Sequence, residues 1–307
     1  MSPIENRDEL TRRESELTAQ VQQSFAGAAS PRVRELLQAL VSHLHAYARD
    51  VRLTESEWQH AIDFLTRTGQ ISNDRRQEFI LLSDVLGLSM LTIGINAPED
   101  PRATQPTVFG PFFVENAPLI EYGGDLAQGA GGEPCWVQGQ VTDADGAPIA
   151  NAEIEVWEAD DEGFYDVQYD DGRTSGRARM IADEQGRYGF WSVKPAPYPI
   201  PGDGPVGELL QAAGRSSMRP AHIHFMVAAP GYRRLVTHVF AAGGPHLDDD
   251  AVFGVKDSLI EHFSEREPGP GPGGRELEHR WWTLDFDVRL ARELSEMAPA
   301  LRRRGTS

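Results

Sequence analysis

The chain has 307 residues, of which 40% are hydrophobic, so it is long enough to bury a sizeable core in one large or two ordinary domains. Asp and Glu number 47 against 29 Lys and Arg, and the formal charge of -18 argues against a surface that binds nucleic-acid phosphates. The one cysteine, Cys135, excludes an internal disulfide and is typical of a reducing compartment.

The N-terminal stretch carries charges throughout and has no apolar region of the kind found in signal peptides. Nowhere does the chain approach the run of about 18 uninterrupted apolar residues that a membrane span requires. We therefore expect a soluble, cytoplasmic protein without a membrane span.

Apolar residues recur at helical spacing through the first hundred residues. Ser30 and Pro31 form a typical helix start, and Thr54 to Glu57 reads as a capping box. Residues 1–100 are therefore predicted to form a helical module. The expected helices run from Pro31 through Tyr47, from the capping box to Gly69, and from about Ser72 through Met90.

After residue 100 the composition changes. Short runs of Val, Ile, Trp and Phe alternate with turn signals rich in Gly, Asp and Pro, which is the pattern of a β-sandwich. We expect residues 101–307 to form this second domain, so that the protein is mainly β with a helical N-terminal module. The predicted strands are Trp136–Val141, Ala152–Trp157, Tyr188–Val193, His222–Val227, Leu235–Phe240 and Trp281–Phe286.

Two histidines, His222 and His224, alternate with apolar residues in one of these strands. Side chains two residues apart leave the same face of a strand, which brings the two imidazoles close enough to bind one metal ion. An isolated pair of this kind is more often a packing or surface feature, so other ligands are needed to support a metal site.

Tyr165 and Tyr198 are the candidate partners of the two histidines. Tyr198 is flanked by prolines on both sides, which restrict the backbone and hold the phenol on a rigid loop. For Tyr165 the alternative is a core tyrosine whose hydroxyl finds a hydrogen-bond partner. Two phenolates together with two imidazoles favour a hard, highly charged ion, which indicates ferric iron.

The phrases PYPIP at residues 197–201 and RPAHIHF at residues 219–225, together with Tyr165, resemble the intradiol ring-cleaving dioxygenases. The resemblance extends from about Ser83 to about Phe263. It implies a β-sandwich catalytic domain with one ferric ion per subunit, held by Tyr165, Tyr198, His222 and His224. The implied reaction uses O2 to open an aromatic diol between its two hydroxylated carbons.

The same resemblance implies roles for two residues beside the metal. Tyr198 would leave the iron and accept a proton from the substrate. Arg219 would stabilise the negative charge that develops on the ring, a role that needs a fixed cation. The alternative for Arg219 is a salt bridge with the acidic surface.

A substrate pocket is also implied by resemblance. Asp84 is its informative member, because a carboxylate in an apolar pocket is costly unless a group such as a third substrate hydroxyl pairs with it. The alternative is that Asp84 caps a helix or lies on the surface. The implied pocket residues are Leu81, Asp84, Val108, Phe109, Gly110, Pro111, Phe112, Ile200, Pro201 and Val252.

The phrase AVFGVK at residues 251–256 and His238 resemble the hydroxyquinol branch of the family, whereas plain catechol enzymes usually carry glutamine where His238 stands. The predicted substrate is therefore hydroxyquinol (1,2,4-trihydroxybenzene), which would give maleylacetate. Catechol or substituted catechols, giving muconates, are the alternative.

Two other classes of protein stay open at this point. Residues 139–152 also fit a transthyretin-like module that binds ligands without catalysis, and the two histidines alone would suit a zinc hydrolase. Family resemblance further implies a homodimer formed through the N-terminal helices, with a lipid between them. The acidic runs at residues 158–162 and 248–250 lack the ligand spacing of a calcium loop and are predicted to be solvated loops.

Overall fold

The computed structural model describes residues 3–73 and 76–293, and the chain divides into two compact units, residues 1–66 and 67–307. The first unit is helical. Both predicted helix starts are confirmed: the Ser30 side chain accepts a hydrogen bond from the Val33 amide at 3.2 Å, and Thr54 and Glu57 cap each other reciprocally. The helices that begin in this unit are α1 Pro3–Ser24, α2 Pro31–Asp50 and α3 Glu55–Ile71.

The predicted third helix is wrong in its extent. Two helices, α4 Glu78–Val85 and α5 Leu88–Ile95, occupy the region and belong to the second unit, while residues 74 and 75 lie outside the described residues. Gly87 separates them because its φ of 72° is left-handed, a conformation that ends a helix. The domain boundary near residue 100 stays a prediction.

Within the described ranges, no single helix is long and apolar enough to cross a membrane. The pair α4 and α5 meets the length and composition criteria only when the two are taken together, and they are bent by 75° at the break.

Short strands dominate the second unit, with one further helix, α6 Pro205–Ala212. All six predicted strands are present, whereas the strand at Arg177–Ile181 was not predicted. The strands are β1 Pro134–Asp143, β2 Glu153–Trp157, β3 Arg177–Ile181, β4 Arg187–Val193, β5 Tyr198–Pro199, β6 Met218–Arg219, β7 His222–Ala228, β8 Leu235–Ala241, β9 Ile260–Glu261, β10 Ser264–Arg266, β11 Gly269–Pro270, β12 Glu276–Leu277, β13 Trp281–Asp285 and β14 Val288–Leu290.

Two five-stranded mixed sheets make up the body of this unit. In the first, β1 is central: it pairs antiparallel with β4 and parallel with β13 and β14. The second sheet has the order β3-β2-β7-β8-β9. One apolar core contains residues of both sheets, so the sheets pack as a sandwich, and the predicted fold class is confirmed.

Strand alternation in β7 divides the core from the candidate site. Ile223 and Phe225 are completely buried in the core between the sheets. His222 and His224 therefore leave the opposite face of the same sheet. A second apolar cluster, contributed by α4, α6 and the segments around residues 108, 200 and 251, lies in the same unit and is distinct from the sandwich core.

Candidate metal centre and active site

Four side chains from three segments converge on one point. The Tyr165 and Tyr198 hydroxyl oxygens are 3.0 Å apart, and the Nε2 atoms of His222 and His224 are 3.3 Å apart. The ring of atoms is closed by His224 Nε2 to Tyr165 at 3.1 Å and by His222 Nε2 to Tyr198 at 3.4 Å. Ligand atoms that share one ion, each about 2.0 to 2.1 Å from it, lie roughly 3 to 3.5 Å from one another. The four donors fit a single metal ion.

Local backbone geometry places two of these side chains, Tyr198 and His224. Tyr198 lies on β5, directly opposite Arg219 of β6. Gly110 has a φ of +76°, and a Cβ at this position would lie 3.1 Å from His224 Cε1. Gly163, with a φ of +85°, comes still closer to its neighbour, because a Cβ there would lie 2.5 Å from the Tyr198 Cβ. The sequence needs glycine at both positions because backbone approaches the metal-site side chains so closely.

Both imidazoles are held neutral. Burial lowers the pKa of His222 well below its ordinary value, and the adjacent Arg219 lowers it further. Burial likewise lowers the pKa of His224. The Nδ1 of His222 lies 2.7 Å from the Pro220 carbonyl oxygen and donates to it, which leaves the lone pair on Nε2 facing the other three donors. Neutral imidazole with a free Nε2 is the form that binds metals.

The two phenols are buried in the same place. Burial raises the pKa of Tyr165 well above its ordinary value, with a further rise from Tyr198, and burial also raises the pKa of Tyr198. Arg219 lowers the pKa of Tyr198 in part. Phenolates here therefore require a compensating cation of higher charge, which a bound metal ion would supply.

Unpartnered polar atoms concentrate around the centre. Among the described residues, seven buried side-chain nitrogen or oxygen atoms have no hydrogen-bond partner, and four of them belong to residues at this site. Buried polar atoms without a partner are costly, so their clustering indicates a place built for polar groups from outside the chain. The four atoms are Trp157 Nε1, Arg219 Nη2, His224 Nδ1 and His238 Nε2.

Sequence reasoning did not count His238 as a site residue. It stands directly opposite His224 across the β7–β8 ladder, and His222, His224 and His238 form a buried group whose ligand atoms lie within 4.8 Å of one another. The Thr107 hydroxyl bonds His238 Nδ1. The signal that could have found His238 was its position in β8, which an antiparallel pairing of the two predicted strands would have placed beside the histidine pair.

Arg219 is buried beside the four donors. Its Nη1 lies 3.0 Å from His222 Nε2, and its Nε donates to Asp250 Oδ1 at 3.1 Å. Burial alone would lower the pKa of Arg219, but Asp250 raises it overall, so the cation is fixed. Asp250 also accepts from the backbone amides of Val252 and Gly254. The salt bridge of Arg219 is thus internal and not with the acidic surface.

The prediction that both acidic runs are solvated is wrong for three residues. Asp250 is buried and pairs with Arg219. Glu158 is 1% exposed and accepts from the Ser192 hydroxyl, and burial raises the pKa of this carboxyl to about 8. Asp160 is also buried, where it accepts from the Phe164 amide and the Tyr169 hydroxyl.

A cleft of about 590 Å³ lies beside the centre and contains part of the predicted pocket. The Phe112 ring stacks on Tyr165 at 4.5 Å between ring centroids, which joins the cleft wall to a metal-site side chain. Val108 and Val252 are buried in the apolar cluster with Leu81 and Ile200. The predicted residues that line the cleft are Leu81, Pro111, Phe112, Ile200 and Pro201.

Besides Gly110, which packs against His224, two predicted pocket residues lie neither in the cleft lining nor in the apolar cluster. Phe109 is 36% exposed, and its ring packs on Phe113 and Trp157 instead of lining the cleft. Asp84 is 2% exposed in α4, which rules out a surface position. Burial raises the pKa of Asp84 to about 6, and a hydrogen bond from Ser89 and the charge of Arg219 limit the rise.

A sandwich that carries a buried tyrosine–histidine centre beside a cleft has the architecture of a metal-dependent enzyme. A family model described as Dioxygenase matches residues 108–291, and one described as Catechol dioxygenase N terminus matches residues 30–104. The chain therefore belongs to the intradiol ring-cleavage dioxygenases, as the sequence motifs indicated, and it is an enzyme of that type.

Similar proteins cover nearly the whole chain. It is 59% identical to a hydroxyquinol 1,2-dioxygenase of Nocardioides simplex over 91% of this chain and 96% of the relative. The structure of hydroxyquinol 1,2-dioxygenase from Pseudomonas putida DLL-E4 has a TM-score of 0.84 at 43% identity, covering 92% of this chain and 100% of that one. Catechol 1,2-dioxygenase from Pseudomonas arvilla C-1 gives 0.80 at 31% identity, with 94% and 96% covered.

Proposed function

We propose that this enzyme cleaves the ring of hydroxyquinol between its two adjacent hydroxylated carbons, with incorporation of both atoms of O2, to give maleylacetate. The observation that carries the proposal is the convergence of Tyr165, Tyr198, His222 and His224 within 3.0 to 3.4 Å of one another. Support for the substrate comes from the 59% identity to a hydroxyquinol 1,2-dioxygenase, against 31% to the catechol 1,2-dioxygenase structure. Catechol is the second candidate substrate.

Ferric iron is the metal that this donor set favours, one ion per subunit. Phenolate oxygens are hard anionic ligands and prefer a highly charged ion, whereas a zinc site typically uses thiolate, imidazole or carboxylate. When bound, ferric iron would keep the phenols ionised and activate a chelated diol toward O2. His222 and His224 would be the neutral ligands of the ion, and Tyr165 would be an anionic ligand that stays bound.

The cleft binds the flat ring. An apolar cavity of about 150 Å³ is enough to hold benzene, so the cleft of about 590 Å³ has room for a trihydroxylated ring and for O2. Leu81, Phe112 and Ile200 present apolar surface to it. The backbone at Gly110 packs closely against the His224 imidazole because glycine has no side chain.

Tyr198 accepts a proton from the substrate, and Arg219 stabilises the negative charge on the ring. The Tyr198 oxygen lies between Tyr165 and His222, so it can accept a proton from a substrate hydroxyl that arrives at the centre. Arg219 Nη1 donates to the same His222 lone pair that a metal would use. With a metal on that lone pair, Nη1 would be free, like the unpartnered Nη2, to interact with the substrate. A fixed cation there stabilises the anionic ring.

Asp84 does not line the cleft itself, but it lies one helical turn along α4 from the cleft residue Leu81, and we infer that it selects the third hydroxyl. Its carboxylate is 2% exposed and close enough to Arg219 for the two charges to interact. At neutral pH the carboxylate is mainly ionised because its pKa is about 6. A buried ionised acceptor favours a ligand that donates a hydrogen bond to it. Hydroxyquinol carries such a hydroxyl and catechol does not.

The partners outside the active site follow the family resemblance. We propose a homodimer that pairs through the N-terminal helices, with a lipid between them. In α2 the apolar side chains at Leu36, Leu40 and Leu44 are each more than half exposed, which supports a partner for this stripe. A cytoplasmic location is supported by the single buried cysteine, Cys135.

Oxygen uptake by the iron-loaded protein tests this function. Catechol, chlorinated catechols and hydroxyquinol are offered separately, and kcat/KM is expected to be highest for hydroxyquinol. The purified protein should also absorb visible light through its iron-bound tyrosines. A colourless, iron-free protein after growth with added iron would contradict the metal assignment, and a preference for catechol would contradict the substrate.

A further inference from the structure

A buried ion pair lies next to the candidate metal centre, since one of its members directly follows Tyr165 in the chain. Arg177, at the start of β3, and Asp166 have side chains that are each 4% exposed. Arg177 Nε donates to Asp166 Oδ2 at 2.7 Å, and its Nη2 donates to the other carboxylate oxygen. The planar guanidinium therefore grips both oxygens of one carboxylate, which is the arrangement with the most directional specificity.

The pair joins two parts of the active site that are far apart in the sequence. Asp166 follows Tyr165 directly, so gripping its carboxylate fixes the backbone that carries the Tyr165 phenol. Arg177 Nη2 also donates to the carbonyl oxygen of Phe112 at 3.2 Å. The Phe112 ring in turn stacks on Tyr165 at an interplanar angle of 21°. Arg177 thus closes a ring of contacts through the cleft wall and the phenol.

A third link runs through the sheet. Arg177 pairs with Trp157 across the β3–β2 ladder, and Trp157 pairs with His224 across the β2–β7 ladder. The indole of Trp157 stacks on the imidazole of His224 at 4.7 Å. One residue is therefore connected to a phenol, to an imidazole and to the cleft wall, although it touches none of the four donor atoms.

Stability alone does not account for such a pair. The desolvation of two charges offsets most of their attraction, and apolar side chains of similar volume often do as well in the same place. What apolar side chains cannot provide is the fixed direction of several hydrogen bonds. The contacts of Arg177 determine position more than they add stability.

We propose that Arg177, with Asp166, is a positioning residue that holds the Tyr165 phenol and the Phe112 wall of the cleft in a fixed position relative to each other. Without the pair, the phenol and the wall move independently, so the ring of the substrate is no longer held at a fixed angle to the metal ligand. The proposal deepens the ring-cleavage function proposed above and rests on it.

The test uses two variants of the full chain. The double variant Arg177→Met, Asp166→Leu replaces the ion pair by apolar side chains and is expected to fold. Arg177→Lys keeps the charge but cannot grip both carboxylate oxygens and the Phe112 carbonyl at once. For both variants, we expect the visible tyrosinate band of the iron-loaded protein to shift or broaden. We also expect kcat/KM for hydroxyquinol to fall by about tenfold or more, because small misplacements near reacting groups are costly.

Arg173→Met is the matched control. Arg173 pairs with Asp171 on the same stretch of chain, but these side chains are 43% and 51% exposed. The visible band and kcat/KM of Arg173→Met should equal those of the unsubstituted protein. Unfolding temperatures of the metal-free proteins provide a readout that does not depend on activity. For the double variant the value should stay within about 4 °C of the unsubstituted protein.

The positioning role is rejected if both variants keep an unchanged band and a kcat/KM within about twofold of the unsubstituted protein. It is also rejected if neither variant folds, because the pair is then required by the fold itself. If only Arg177→Lys folds, its spectrum and kinetics decide. Failure of the proposed function has a different signature, since the unsubstituted protein itself would then lack the band and hydroxyquinol turnover.

Discussion

Arg219 and Asp250 form an ion pair that is almost completely buried, with side chains 4% and 2% exposed and 3.1 Å between Nε and Oδ1. Asp250 accepts two backbone amides as well, so the carboxylate cannot follow the guanidinium if that group turns. The pair fixes the direction of Arg219 while one of its nitrogens, Nη2, has no partner among the described residues.

Asp250→Asn should therefore lower turnover more than binding. The amide keeps the shape but not the charge, so Arg219 loses its anchor and points less well at the charge that develops on the ring. We expect kcat to fall by about tenfold to a hundredfold, with a smaller change in KM. Steady-state oxygen uptake measures both. Asp249→Asn, an exposed neighbour, is the control, and equal effects of the two substitutions would contradict the anchoring role.

Tyr165→Phe should lose iron or the visible absorption band, because the variant lacks one of the anionic ligands. Iron content and the visible spectrum measure the effect. Tyr188→Phe is the matched control, since Tyr188 is also a buried tyrosine, but its hydroxyl donates to the Phe286 carbonyl in the sandwich core. Tyr188→Phe should lower stability and leave the spectrum unchanged. Unchanged spectrum and turnover in Tyr165→Phe would remove Tyr165 from the site.

Gly110→Ala tests the close approach of backbone to His224. The added Cβ would lie 3.1 Å from His224 Cε1, and the alanine backbone would have to adopt a φ of +76°. We expect loss of iron or of most activity. Gly146→Ala imposes a similar strain at a φ of +87° but meets nothing within 4 Å. Both variants should lose roughly 1 kcal/mol or more of stability through backbone strain, yet only Gly110→Ala should affect the metal centre.

Asp84→Asn should change substrate preference. An ionised acceptor for the third hydroxyl is lost, so kcat/KM for hydroxyquinol should fall by about tenfold or more while that for catechol changes little. Because burial raises the pKa of Asp84 to about 6, the preference of the unsubstituted enzyme for hydroxyquinol should weaken as pH falls through that value. Ratios of kcat/KM for the two substrates across this range measure the effect. A ratio that does not depend on pH would argue against Asp84.

Glu158→Gln should make stability less dependent on pH. In the folded protein burial raises the pKa of Glu158 from 4.5 to about 8, so its neutral form is favoured there. Protonated Glu158 therefore contributes to the free energy of unfolding. This contribution is fully present below pH 4.5 and is lost as the pH rises to about 8, by roughly 1.4 kcal/mol per pH unit at most. Gln removes this loss and still accepts from Ser192. Denaturant unfolding at several pH values measures this effect, with Glu153→Gln, at the start of the strand that ends just before Glu158, as control.

The histidine pair and Tyr198 could be predicted because their signals are local. Alternation in a strand is a property of neighbouring residues, and it placed His222 and His224 on one face before any partner was known. The prolines around Tyr198 restrict the backbone in the same local way. Helix starts at Ser30 and Thr54 depend on hydrogen bonds within one turn, and both are present.

Burial of charged residues could not be predicted in this way. The strand of Arg177 was missed because its first residues alternate charged and small side chains, and only Asp166 and Phe112 make burial of that arginine possible. Asp250 and Glu158 stand in acidic runs that resemble solvated loops. Whether a carboxylate meets solvent or an arginine 31 residues away is decided by chain folding, as in Asp250 with Arg219.

By itself the sequence determined the family, the sandwich with its helical module and the four candidate ligands, since each depends on short motifs or on periodicity. The tertiary structure decided which charges are buried, that His238 joins the histidine pair, and that Arg177 connects the cleft wall to Tyr165. The physical reason is that desolvation and directional hydrogen bonds depend on which distant segments come into contact. Local composition along the chain does not reveal those contacts.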